Sequence, residues 1–157
     1  MILHPPAASA QAAPAYAPHH YGLRVYYEDT DAGGVVYHAN YLRFAERART
    51  EALRDIGAPH AQMASQHGLM FMVRRVKVDY LAPARLDDSL LVLTETRSIR
   101  AASAALRQTV TRDGAALAVL EIELVCVRVA DARPARIPPR WKQALATTCL
   151  EAAPSGA

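Results

Sequence analysis

The sequence is poor in the features that mark several kinds of protein. It has two cysteines in 157 residues, Cys126 and Cys149. Neither stands in a CxxC pair or near a histidine cluster, so no metal site is expected. Nothing requires an oxidising compartment. Cys126 lies in the apolar run "LEIELVCVRV" and reads as a small core residue, because no His or acid stands beside it to activate a nucleophile. No basic cluster with interleaved aromatics occurs, and no helix-turn-helix or zinc-finger spacing. With a net charge of only +3, a nucleic-acid partner is not expected. No Lys or Arg precedes Arg24, and Pro5, Pro6, Pro14 and Pro18 interrupt the apolar start. A secretory signal needs both a basic start and an unbroken apolar run, so residues 1–20 read as a disordered Ala- and Pro-rich extension. No segment is long and apolar enough to span a membrane, and the cytoplasm is the expected location. There is no internal repeat.

What is present is one domain's worth of patterned chain, 52% hydrophobic and 21% charged. "YGLRVYYED" (Tyr21 to Asp29) alternates Leu23, Val25 and Tyr27 against Arg24 and Tyr26, which predicts a strand. Asn40 to Ile56 predicts a long helix. Tyr41, Phe44, Ala45, Ala48, Ala52, Leu53 and Ile56 recur at three- and four-residue steps along one stripe. Asn40 is the expected N-cap, and Gly57 followed by Pro59 the expected stop. After a short connection the chain reads as strands. "MFMVRRVKVDYLAP" and "DSLLVLTETRSI" come first, then two runs joined by Asp113-Gly114, a hairpin turn signal. Trp141 anchors an expected short terminal helix. The implied organisation is an extension (1–20), a domain (21–137) and a C-terminal tail (138–157). The class is α+β: an antiparallel sheet of about five strands wrapped around one long helix. One helix cannot cover so wide a sheet, so an exposed edge should pair with a second subunit.

The chemistry concentrates in "YYEDTDAGGVVYHANYL" (Tyr26 to Leu42). Gly33 and Gly34 permit positive φ and close backbone approach beside Asp31. Val35, Val36 and Tyr37 form an apolar wall, and His38 and Asn40 lead into the helix. The first N–H groups of a helix lack internal partners and sit at the positive end of its dipole. They can hold an oxygen that becomes anionic during reaction. One short segment thus supplies a carboxylate, an oxyanion site and a hydrophobic wall, the parts of an acyl-transfer site. The same residues admit plainer roles: Asp29 and Asp31 as turn caps, Glu28 as a solvated charge, His38 as a surface or core residue. "EDTDAGG" lacks the ligand run and terminal Glu of a calcium loop.

"VYYEDTDAGGVVYHANYLRFAERARTE" closely resembles the signature of hot-dog-fold thioesterases of the 4-hydroxybenzoyl-CoA thioesterase family, and within it the Tol-Pal-associated acyl-CoA thioesterases of the YbgC type. "VRRVKVDYLAPARLDD" and "EIELVCV" also look like that group. The similarity runs from about Leu23 to Ile137. It implies a hot-dog fold and a homodimer or homotetramer with active sites at subunit interfaces. Asp31, the second Asp of the family's D-x-D-x-x-G motif, would be catalytic as nucleophile or general base, with Asp29 supporting it. The backbone N–H of His38 would polarise the thioester carbonyl. Asn40 and Tyr41 match the family's "NY" at the helix start. Gly33-Gly34 and His38 depart from the hydroxybenzoyl enzymes, which favours a fatty or short acyl group. Glu46 and Glu51 read as solvated helix charges. Arg74, Arg75, Lys77 and Arg100 could meet CoA phosphates, but a strand's solvent face explains each of them as well. The expected activity is hydrolysis of acyl-CoA, with acyl carrier protein as a second candidate carrier and no cofactor. The alternatives are a hydratase, whose Asp and His lie closer together than Asp31 and His38, and a non-catalytic adaptor for acyl carrier protein or an envelope complex.

Overall fold

The computed structural model describes residues 17–149. Its elements run β1 (His19–Arg24), α1 (Asn40–Asp55), α2 (His60–His67), β2 (Leu69–Tyr80), β3 (Ser89–Ile99), β4 (Ser103–Arg112), β5 (Ala115–Arg128) and α3 (Pro139–Thr147). The five strands form one antiparallel sheet in the order β1-β3-β4-β5-β2. This is the expected α+β arrangement of a curved sheet around a central helix.

The stripe on α1 is where the sequence pattern puts it: Tyr41, Phe44, Ala45, Ala48, Ala52 and Leu53 are buried. They pack on the inner faces of β1, β3 and β4. β3 and β4 answer with strict alternation, burying Leu90, Val92, Leu106 and Val110. Burying a side chain of Phe44's size is worth about 1.5–3 kcal/mol. The helix ends where Gly57 takes φ +79. There the N–H groups of Gly57 and Ala58 donate to Arg54 O and Leu53 O, closing the last turn. Asp113 and Gly114 both take positive φ, as the tight hairpin between β4 and β5 requires.

Three expectations are corrected. β1 starts at His19, ahead of Tyr21, and ends at Arg24; Tyr27–Asp29 form a 3-10 turn instead of more strand. The turn forms because the Asp29 carboxylate accepts the Tyr26 N–H at 2.8 Å and curls the chain. Asn40 is the first helical residue and caps nothing; Ala39 holds the N-cap position. α2 occupies the supposed short connection, whereas the short terminal helix expected around Trp141 is present as α3, beyond β5, with Trp141 buried. Most of the N-terminal extension, residues 1–16, lies outside the described residues, as does the tail from residue 150.

α1 leaves the inner face of β2 uncovered. Val73 and Val76 are 49% and 36% exposed, although both face the helix side of the sheet opposite buried Leu124 and Ile122. A register shift between Val73 and Arg75 sets both on that side. The open groove between α1 and β2 lies beside the loop that leads into α1.

Candidate functional site

Asp29 organises the loop before α1. It is buried, and its side chain accepts the Tyr26 N–H at 2.8 Å and the Asn40 Nδ2–H at 3.3 Å. Its carbonyl accepts the Tyr37 N–H at 2.9 Å and a second Asn40 Nδ2–H contact at 3.1 Å. Asn40 therefore serves the loop by tying the start of α1 to Asp29. Between these anchors the chain doubles back. Thr30 bridges to Val36, and Val35 bridges to Arg85 in the loop after β2. Arg85 and its neighbours are held in turn by Asp88. The Asp88 carboxylate accepts the Arg85 N–H at 2.8 Å and pairs with Arg112 at 2.6 Å. The Arg85 N–H first, and Arg112 with it, hold the Asp88 carboxyl below the usual carboxylate range.

Asp31 sits at the exposed tip. Its N–H donates to Val35 O, and its carbonyl accepts the Gly34 N–H at 3.0 Å. Gly34 has φ +76, which the turn requires. One carboxylate oxygen, Oδ1, accepts the Gly33 N–H at 2.8 Å. A Cβ at Gly33 would stand 3.1 Å from that oxygen. The glycines thus shape the turn that presents Asp31. Val36 is buried and Val35 half-buried, while Tyr37 is exposed.

His38 follows at the foot of α1. Among the described residues its N–H donates to no acceptor. Its carbonyl is held: the Tyr80 hydroxyl donates to it at 2.8 Å from the end of β2. The His38 ring lies against Tyr37, with centroids 4.6 Å apart, and meets Tyr80 edge-on at 6.3 Å. Tyr80 also meets Tyr41 edge-on at 5.5 Å, and the Tyr41 hydroxyl accepts the Ala84 N–H at 3.0 Å. Burial, with Tyr41 beside it, raises the Tyr80 phenol above its ordinary pKa, so it stays a donor at neutral pH. Val36, His38, Tyr41, Tyr80 and Leu81 line a cleft of about 320 Å³. Tyr80 had no role in the sequence reading, since a β2 residue only meets His38 through the fold, 42 residues away in the chain.

The other charges sort as expected. Glu51 pairs with Arg54, one turn along α1. Arg74 and Arg75 reach Glu123 at 3.4 and 4.0 Å, and Lys77 reaches Asp79 at 3.9 Å. Arg75, Lys77 and Arg100 border a shallow depression shared with Glu121 and Glu123, so acidic neighbours offset their charge. Among the described residues no cluster of three or more His, Cys, Asp or Glu could hold a metal ion. Cys126 is buried, and burial pushes its thiol pKa up, against a nucleophilic role.

Residues 25–145 match the thioesterase-like superfamily. The chain is 41% identical over 122 residues to the acyl-CoA thioesterase YbgC of Haemophilus influenzae, covering 78% of this chain and 90% of that one. It is 44% identical over 117 residues to the acyl-CoA thioester hydrolase YbgC of Escherichia coli, covering 74% and 87%. Among solved structures, a probable thioesterase from Bartonella henselae superposes with a TM-score of 0.75 at 34% identity, covering 78% of this chain and all of that one.

Proposed function

From the premise that the chain belongs to the thioesterase-like superfamily, and to the YbgC acyl-CoA thioesterases within it, we propose that it hydrolyses an acyl-CoA at the loop between Asp29 and Asn40. The observation that carries this reading is the free His38 N–H just before α1, in the same loop as the exposed Asp31 carboxylate seven residues earlier. A thioester carbonyl oxygen at that N–H would gain negative charge as the carbonyl carbon is attacked, beside the positive end of the helix dipole. As general base, Asp31 takes a proton from water, the new hydroxyl bonds to the carbonyl carbon, and the C–S bond breaks to release CoA thiolate, which takes up a proton. As nucleophile, Asp31 bonds to the carbon first, and water then cleaves the resulting anhydride. In both routes Asp31 Oδ2 acts, while Oδ1 stays anchored on Gly33.

Tyr37 and Val36 wall the acyl group, and Gly33, Gly34 and Val35 keep the turn narrow enough for the thioester to approach. Asn40 holds the helix start at Asp29. The long, half-exposed β2 edge supports pairing with a second copy into a homodimer or homotetramer. A cytoplasmic location is part of the proposal, and the resemblance adds a Tol-Pal association and acyl carrier protein as an alternative carrier. No helix among the described residues is long and apolar enough to cross a membrane. The non-catalytic adaptor is not favoured, since the similar proteins carry the names of hydrolases. The test is thiol release by the purified chain across acyl-CoA lengths, beside matched acyl carrier protein substrates. Turnover of at least one acyl-CoA is expected, and no thiol release from any of them would overturn the reading.

A further inference from the structure

The groove between α1 and β2 is lined by an arginine that the core holds by a single hydrogen bond. Arg49 Nη1 donates to Gln108 Oε1 at 2.9 Å. Gln108 is fully buried, and its Nε2 donates to Ala45 O and Thr94 Oγ1, both at 2.9 Å. Both Nε2 hydrogens of Gln108 are thereby used, which fixes the side chain. Among the described residues the guanidinium has no other hydrogen-bond partner, although most of its donors remain. A half-buried guanidinium with unused donors favours an acceptor that reaches it.

Arg49 borders a cavity of about 530 Å³, a size that suits a small-molecule group. Its apolar lining is Leu42, Met70, Phe71, Val73 and Val76. Its charged lining is Arg43 and Arg49 against one acid, Glu46, while burial disfavours the charged form of His60, so the two arginines leave the groove net positive. Leu42 lies one helical turn beyond His38, and Val76 shares its strand face with Tyr80. The groove therefore leads away from the proposed oxyanion site. Arg49 stands nine residues beyond Asn40, about 14 Å along the helix axis.

Resting on the thioesterase reading, we propose that this groove takes a medium-length acyl chain whose far end is a carboxylate, received by Arg49. Apolar walls hold the methylenes, and the positive end selects the ω-carboxylate over a methyl group. Charge complementarity is the argument for this occupant, because a plain alkyl chain would leave the guanidinium donors beyond the Gln108 bond without an acceptor.

The test compares suberyl-CoA with octanoyl-CoA, equal in length and differing at the far end. With the full chain, kcat/KM for suberyl-CoA should exceed that for octanoyl-CoA about ten-fold. Arg49→Met should collapse the ratio, and Arg49→Lys should keep part of it. Calorimetry with probes neutral at the near end makes the contact readable without turnover: suberamate, the monoamide of suberate, should bind the unaltered protein about ten-fold more tightly than octanamide. That arm also stands if Arg49→Met fails to fold. No thiol release from either substrate would fell the hydrolase reading, with the calorimetry still deciding the Arg49 contact. Equal or better use of octanoyl-CoA, with octanamide bound as well as suberamate, would overturn the proposal. So would an Arg49→Met variant altered only in subunit association, because Arg49 would then serve a second copy of the chain.

Discussion

The two halves of the sheet are built from similar residues and treated differently. β3 and β4 alternate buried and half-buried positions beneath α1 almost without a break. β2 is longer and equally rich in apolar side chains, yet Val73, Val76 and Tyr80 stand 36% to 49% exposed. The covered half stabilises the chain. The open half has Tyr80 gripping the His38 carbonyl and the groove that reaches Arg49. The lesson is that apolar content alone does not make a core; the helix chooses which strands it covers, and the uncovered ones are left for binding.

The contrast can be broken most severely in the covered half. Phe44→Ala should cost about 3–5 kcal/mol by urea denaturation, since the side chain is 1% exposed between α1 and the sheet. Asp29→Ala strikes the joint between the halves. It strips acceptors from the Tyr26 N–H and from Asn40 Nδ2, and should cost about 1–3 kcal/mol while also lowering thiol release. Val76→Thr, in the open half, should shift stability by only about 0.5 kcal/mol in the same denaturation measurement. A Phe44-sized loss there would show that β2 is core after all.

The smallest effect is one of pH. Burial first, then Arg49 and Arg54, hold His60 below its ordinary pKa, with Glu46 opposing. The unfolded chain then binds the proton more readily than the folded one. His60's contribution is complete above about pH 6.5 and is lost as pH falls from there through the folded value. The melting temperature should drop on acidification below that point, and His60→Gln should flatten part of the drop.

Much of the covered half was legible in the sequence, because it follows simple periods. The α1 stripe from Tyr41 to Leu53 is buried as its spacing predicts, and Asp113-Gly114 makes the turn. Ile56, assigned to the same stripe, is 38% exposed because the helix has closed by then. α2 was not legible: "HAQMASQH" buries only Met63, so it carries no apolar stripe. The strand expected through Asp29 failed because its alternation could not reveal that Asp29 would capture the Tyr26 N–H. In the site, residue types pointed to Asp31 and His38, and the Asp29–Asn40 tie explains their setting. The Tyr80 tether and the Arg49–Gln108 bond join residues 42 and 59 positions apart, which no local pattern encodes.

The most direct measurement pairs activity with stability in one substitution, Asp31→Asn. Asp31 is exposed at the loop tip, and an Asn Oδ1 can still accept the Gly33 N–H. Thiol release from the best acyl-CoA should therefore fall by about 10²–10⁴-fold while the melting temperature stays near that of the unaltered chain. Unchanged hydrolysis by a folded Asp31→Asn variant would contradict the account.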